Sequence, residues 1–247
     1  GEAPTLSDDE KKAAFKFTVD RIAGRIPVIA GTGSNDTLHS IELSKYAEAV
    51  GCNGVLCVTP YYNKTTQKGL VEHFKAVSSG IKTPIVVYNV PGRTGLNIQP
   101  KTLKELCKLD NVVAIKEASG NISQIAKMKA LCGDDIDLYF GNDDQAVPIM
   151  SLGGLGVISV LANIIPKDIH DMCKLFLEGN VKEALKIQLN ALTLMNTMFI
   201  ETNPIPIKTA MNILKMNVGN LRLPLCDMSE GNLDILKSEL KNYGLLK

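Results

Sequence analysis

Val112-Val113-Ala114-Ile115-Lys116-Glu117 joins four consecutive apolar residues to a lysine. Such a run reads as a strand buried on both faces, as in a parallel sheet wrapped by helices. Lys116 then stands at the strand's carboxyl end, the edge where ligands bind in open α/β sheets and in barrels of alternating strands and helices. Apolar surroundings at that edge disfavour the ammonium form, and a neutral lysine can attack a carbonyl to form a Schiff base. The competing reading is a strand-end lysine that lays its stem on apolar surface and keeps its charge in water.

The pattern repeats on either side of this stretch. PVIAG from Pro27, GVLCVT from Gly54, PIVVY from Pro84, DLYFG from Asp137 and VISVL from Val157 read as further short strands, with helical stretches between them. Six strand-helix units at roughly 20- to 30-residue spacing point to a (β/α) barrel, whose sites are built at one face from the loops after the strands. Closure normally takes eight strands. After Gly1 to Leu6, Ser7-Asp8-Asp9-Glu10 reads as a capping box that starts a helix, with no strand before it. The expectation is an α/β fold: a TIM (β/α)8 barrel lacking its first two strands and first helix over residues 1–179, then a helical domain over 180–247. An open six-stranded arc has two edges that need cover.

Chemistry-bearing residues gather where the strands end. Tyr61-Tyr62-Asn63 comes after one strand. An extended backbone turns adjacent side chains to opposite sides, so the two tyrosines should do different work: proton transfer in a cleft, packing at a subunit contact, or both. Tyr88 ends another strand, and Arg93 lies just beyond it in the Pro/Gly-shaped segment Val90-Pro91-Gly92-Arg93-Thr94-Gly95. A tight loop there holds the guanidinium in place for a planar carboxylate, or leaves it as a surface ion pair. Gly31-Thr32-Gly33-Ser34-Asn35-Asp36 is neither G-x-G-x-x-G nor a P-loop.

Composition narrows the classes. Lys+Arg 27 against Asp+Glu 26 gives a net charge of +1, with no basic block, so neither nucleic acid nor an anionic membrane is an expected partner. The six cysteines include no C-x-x-C pair, and the histidines 39, 73 and 170 lie in helical stretches that read as surface. Reduced thiols, no metal site and a cytoplasmic location are expected. No signal-peptide core and no apolar run of membrane-spanning length is present.

Tyr61-Tyr62-Asn63, YNVPGRTG from Tyr88, IKEASGN from Ile115, GNDD from Gly141, GVISV from Gly156 and NPIPIK from Asn203 together resemble the dihydrodipicolinate synthase family over essentially the whole chain. The resemblance implies a Schiff-base lyase of the diaminopimelate route to lysine. It implies that Lys116 condenses with pyruvate and that the resulting enamine attacks aspartate 4-semialdehyde to give 4-hydroxy-tetrahydrodipicolinate. Tyr88 is then the proton relay, joined by Tyr62 from a neighbouring subunit, while Arg93 holds the aldehyde's carboxylate and Gly141 and Ile158 line the pyruvate pocket. The lysine itself serves as the covalent group, so no separate cofactor is implied, and a homotetramer built as a dimer of dimers is.

Two departures qualify the likeness. The family's G-T-T-G-E segment is represented only by Gly1-Glu2, which implies an N-terminally incomplete chain of weak or no activity. The family's lysine-binding site falls near Asn35, His39 and Tyr61; His39 stands in place of a common glutamate and Ala3 in place of a serine, so lysine inhibition should be weak. Two alternatives stay open. One is a sister aldolase that cleaves a sialic acid or keto-sugar acid to pyruvate, against which Arg93 argues; the other is a non-catalytic fragment or subunit.

Overall fold

The computed structural model describes residues 2–246. In chain order the elements are α1 (Asp8–Ile22), β1 (Ile29–Gly31), α2 (Thr37–Ala49), β2 (Gly54–Val58), α3 (Gln67–Gly80), β3 (Ile85–Asn89), α4 (Pro91–Thr94), α5 (Pro100–Leu106), β4 (Val112–Glu117), α6 (Ile122–Cys132), β5 (Asp137–Phe140), α7 (Ala146–Met150), β6 (Gly156–Val157), α8 (Pro166–Leu177), α9 (Val181–Thr197), α10 (Ile205–Ile213) and α11 (Glu230–Asn242). One six-stranded sheet takes the strands in sequence order, and β1 to β4 pair in parallel. Parallel neighbours joined through helices result from strands too apolar to face water on either side. The chain divides into two compact units, residues 6–139 with 152–154, and residues 2–5, 140–151 and 155–246.

In the first unit, α1 starts at the capping box read from the sequence: the Glu10 amide donates to the Ser7 hydroxyl at 3.2 Å and the Ser7 amide to the Glu10 carboxylate at 2.8 Å. The helix α3 turns Leu70, His73, Phe74 and Val77 inward, the 3.6-residue stripe that buries one helix face. Burial of each such apolar side chain contributes about 1.5–3 kcal/mol. His73 is therefore not a surface residue as its helical context suggested; it is 6 % exposed on that inward face.

The β4 strand also departs from the expectation of four residues buried alike. Ile85 pairs with Val112 but Val86 with Ala114, so Val113 is skipped in the pairing and is 39 % exposed. A bulge of this kind turns one side chain out of the ladder and re-aims the residues beyond it. Past the bulge the register is regular, with Tyr88 opposite Lys116 and Asn89 opposite Glu117. The final strand is shorter than read, Gly156–Val157 only.

The core of the second unit is helical. Ile169 and Met172 of α8, Ala184, Ala191, Leu194 and Met195 of α9, and Leu236 and Leu240 of α11 pack in one apolar cluster. Glu2 is tied to this unit through its carboxylate, which accepts from Lys208 Nζ at 2.6 Å and from the Arg222 amide at 2.7 Å. Gly1, the other half of the Gly-Glu pair, lies outside the described residues.

Candidate active site

Parallel pairing places Tyr88 and Lys116 on one face of neighbouring strands. The Lys116 ammonium nitrogen stands 4.4 Å from the centre of the Tyr88 ring, within reach of the ring's negative face. Both side chains are half-buried. Burial pushes the Tyr88 phenol above its ordinary range, an effect the nearby Arg93 charge partly offsets. An aromatic hydroxyl that stays protonated beside an amine is suited to pass protons during carbonyl chemistry.

Arg93 sits on α4, a single helical turn where the sequence suggested a tight loop. Pro91 opens the turn, and Gly95 closes it at φ 66° with its amide on the Pro91 carbonyl at 2.9 Å. Glycine suits that left-handed cap because a Cβ costs energy there. Thr94 is buried within the turn, accepting from the Thr59 hydroxyl at 3.2 Å and donating to the Leu96 carbonyl at 3.0 Å. The turn that carries Arg93 is thus tied to the end of β2, while Arg93 itself is exposed.

The two tyrosines after β2 do diverge, but not through an extended backbone. Tyr62 adopts a left-handed conformation, φ 66°, and is 92 % exposed, whereas Tyr61 is half-buried. A non-glycine residue in that region is held there by its surroundings at a cost of about 1–3 kcal/mol, and such residues cluster at functional positions. Nearby, the Asn35 carbonyl accepts from Asn63 Nδ2 at 3.0 Å. His39 bonds through Nε2 to both Asp8 oxygens at 2.9 Å, which holds the Asp8 carboxyl below its usual range.

The turn after β1 is not a phosphate cradle. Its Thr32 and Gly33 amides donate to the Leu56 carbonyl, at 3.1 and 3.3 Å. A Cβ on Gly33 would lie 2.2 Å from the Val58 nitrogen, so this glycine serves close backbone approach to β2.

In the second unit, Gly141 and Ile158 belong to two loops fastened together. The Ile158 amide donates to the Phe140 carbonyl at 2.7 Å, and the Val160 and Leu161 amides donate to Asp143 Oδ2 at 3.0 and 2.9 Å. Among the described residues no group of three or more His, Cys, Asp or Glu side chains is placed to hold a metal ion, and no helix is long and apolar enough to cross a membrane. All six cysteines are free thiols; Cys226 is exposed.

Sequence reading missed the residues just beyond the Tyr88–Lys116 pair. Asn89 and Glu117 are 0 % and 1 % exposed, on the opposite face of the same two strands. The available signal was the repeated order of Tyr-Asn at one strand end and Lys-Glu at the next, which period-two alternation sends to opposite sides.

Residues 1–243 match the model of the dihydrodipicolinate synthetase family. The chain belongs to that family. It is 64 % identical over 248 residues to the 4-hydroxy-tetrahydrodipicolinate synthase of Clostridium tetani, covering 100 % of this chain and 84 % of the relative. To the enzyme of the same name from Clostridium novyi it is 66 % identical over 243 residues, 98 % of this chain and 82 % of the relative. A crystal structure of a dihydrodipicolinate synthase superposes with a TM-score of 0.97 at 50 % identity, covering all of this chain and 85 % of that one. The α/β architecture with six parallel strands and flanking helices is that of the family's TIM-barrel-like fold.

Proposed function

We propose that the chain condenses pyruvate with aspartate 4-semialdehyde to 4-hydroxy-tetrahydrodipicolinate through a covalent imine on Lys116. Family membership carries the reaction class: a pyruvate-dependent lyase of lysine biosynthesis, in preference to a keto-sugar aldolase. The observation that carries the site is the 4.4 Å approach of Lys116 Nζ to the Tyr88 ring on register-paired strands.

In this reading the Lys116 nitrogen attacks the keto carbon of pyruvate and water leaves, giving an iminium. Loss of a methyl proton makes the enamine, whose carbon attacks the aldehyde. The aldehyde's own amine then displaces Lys116 as the ring closes. Tyr88 passes protons once the imine is in place, at enamine formation and aldehyde addition, and Arg93 pairs the carboxylate of the semialdehyde through its two-pronged donor face. Tyr62, its exposed ring held outward by a left-handed backbone, reaches a neighbouring subunit of a homotetramer. Gly141 and Ile158 take the pyruvate-lining role, and the lysine supplies the covalent chemistry without a separate cofactor.

The test is mass spectrometry after incubation with pyruvate and borohydride. A reduced pyruvyl adduct on the parent chain and none on Lys116→Ala supports the reading. No adduct on either, or equal adducts on both, overturns it.

A further inference from the structure

We propose that Glu117 and Asn89 form a positioning pair, a buried hydrogen-bonded clasp that sets the placement of Lys116 against Tyr88; the inference rests on the Schiff-base reading of Lys116.

The clasp lies one residue beyond the reactive pair in both strands. Because Tyr88 faces Lys116 and Asn89 faces Glu117 in the same parallel register, any slip or splay of β3 against β4 moves both pairs together. Asn89 Nδ2 donates to Glu117 Oε2 at 2.8 Å, and the Ser119 amide donates to Glu117 Oε1 at 2.6 Å. The Ala118 amide adds a backbone bond to the Asn89 carbonyl at 2.8 Å.

The orientation of the Asn89 amide is not free. Its Oδ1 accepts from the Ile98 amide at 2.9 Å, which turns Nδ2 toward Glu117 and toward Asn97 Oδ1, 2.9 Å away. Asn97 in turn exchanges hydrogen bonds with Gln124 at 2.8 and 3.1 Å. Both Glu117 oxygens must therefore accept, which an ionised carboxylate does and an amide of the same shape does not.

Burial of this carboxylate is costly, and it pushes the Glu117 pKa up. Two apolar residues would join the strands without that cost. What the carboxylate adds is direction: it fixes where the strand ends stop, immediately beside the residues whose separation governs attack on a carbonyl. A misplacement of about 1 Å in such an arrangement costs on the order of 100-fold in rate.

Glu117→Gln tests the clasp, because its amide presents a donor to either Asn89 or Ser119. The readout is the rate of borohydride-trappable adduct formation on Lys116 as pyruvate is varied, with circular dichroism and thermal unfolding to establish folding. The limiting rate is expected to fall about 10- to 100-fold, with half-saturating pyruvate changed by less than about 3-fold. The double variant Asn89→Asp/Glu117→Gln exchanges donor for acceptor and, after the Asn97 and Gln124 amides flip, satisfies every partner again; it is expected to recover the parent's limiting rate.

A folded Glu117→Gln chain that traps at the parent's rate, or loses only pyruvate affinity, overturns the proposal. If Glu117→Gln fails to fold, the double variant decides: folded and trapping like the parent supports the clasp, whereas folded without trapping, or unfolded, overturns it. A parent chain with no Lys116 adduct defeats the Schiff-base reading and takes the clasp with it. A trapping parent beside an unaffected Glu117→Gln chain defeats the clasp alone.

Discussion

Lys116 Nζ lies 4.4 Å from the centre of the Tyr88 ring, and the two residues are register partners on adjacent parallel strands. In the proposed mechanism the aromatic ring and the hydroxyl serve the site separately. The ring packs against the amine, while the hydroxyl, whose pKa burial raises further, is the proposed proton relay. Tyr88→Phe should leave the ring contact and the pyruvate adduct intact while slowing turnover by about 10²- to 10⁴-fold, the usual weight of a positioned acid-base group. Parallel measurement of adduct formation and steady-state condensation checks this; equal loss in both would assign Tyr88 to imine formation as well.

Arg93 projects from a one-turn helix closed by Gly95 and anchored through Thr94 to Thr59. Arg93→Lys keeps the charge but gives up the paired donors. Half-saturating aspartate 4-semialdehyde is expected to rise about 10- to 100-fold, in line with loss of one charge-assisted hydrogen bond. Pyruvate trapping on Lys116 should not change. Kinetics with each substrate varied in turn separate the two effects, and a change confined to pyruvate would remove Arg93 from aldehyde binding.

His73 gives the fold a pH dependence of known sign. Burial lowers its pKa below the ordinary 6.5, its Nδ1 bonds the Thr37 hydroxyl at 2.9 Å, and Nε2 has no hydrogen-bond partner. The folded chain thus holds the ring neutral, while the unfolded chain takes up a proton below about pH 6.5. The stabilisation is complete above that pH and is lost as pH falls toward the depressed folded value, at up to about 1.4 kcal/mol per pH unit. Urea unfolding at pH 7.5 and 5.5 should show a smaller difference for His73→Gln than for the parent; equal differences would mean that other groups carry the titration.

If the family's lysine-binding site lies near Asn35, His39 and Tyr61 as the resemblance implies, His39 stands where an inhibitory lysine would need an anionic partner, and its ring is engaged by Asp8. An imidazole bound to that carboxylate offers no negative charge of its own to an incoming ammonium. Free lysine is expected to inhibit condensation weakly or not at all, and His39→Glu to increase its effect. Strong inhibition of the unsubstituted chain in the condensation assay would contradict this.

The sequence by itself determined most of the elements and their approximate ends. Ser7-Asp8-Asp9-Glu10 encodes a local capping box, and the apolar runs at Val55, Ile85 and Ile115 encode strands, because both signals reside in a few consecutive residues. It also determined which residues lie at or just beyond the strand ends, hence Lys116, Tyr88 and Arg93 as candidates. Tertiary structure alone decided what depends on register and packing: the bulge that turns Val113 outward, the burial of His73, the left-handed backbone at Tyr62, and the pairing of Asn89 with Glu117. The reason is physical. A strand's side-chain alternation is written in the chain, but which residue stands opposite it, and what then covers both, is set by a neighbour some thirty positions away.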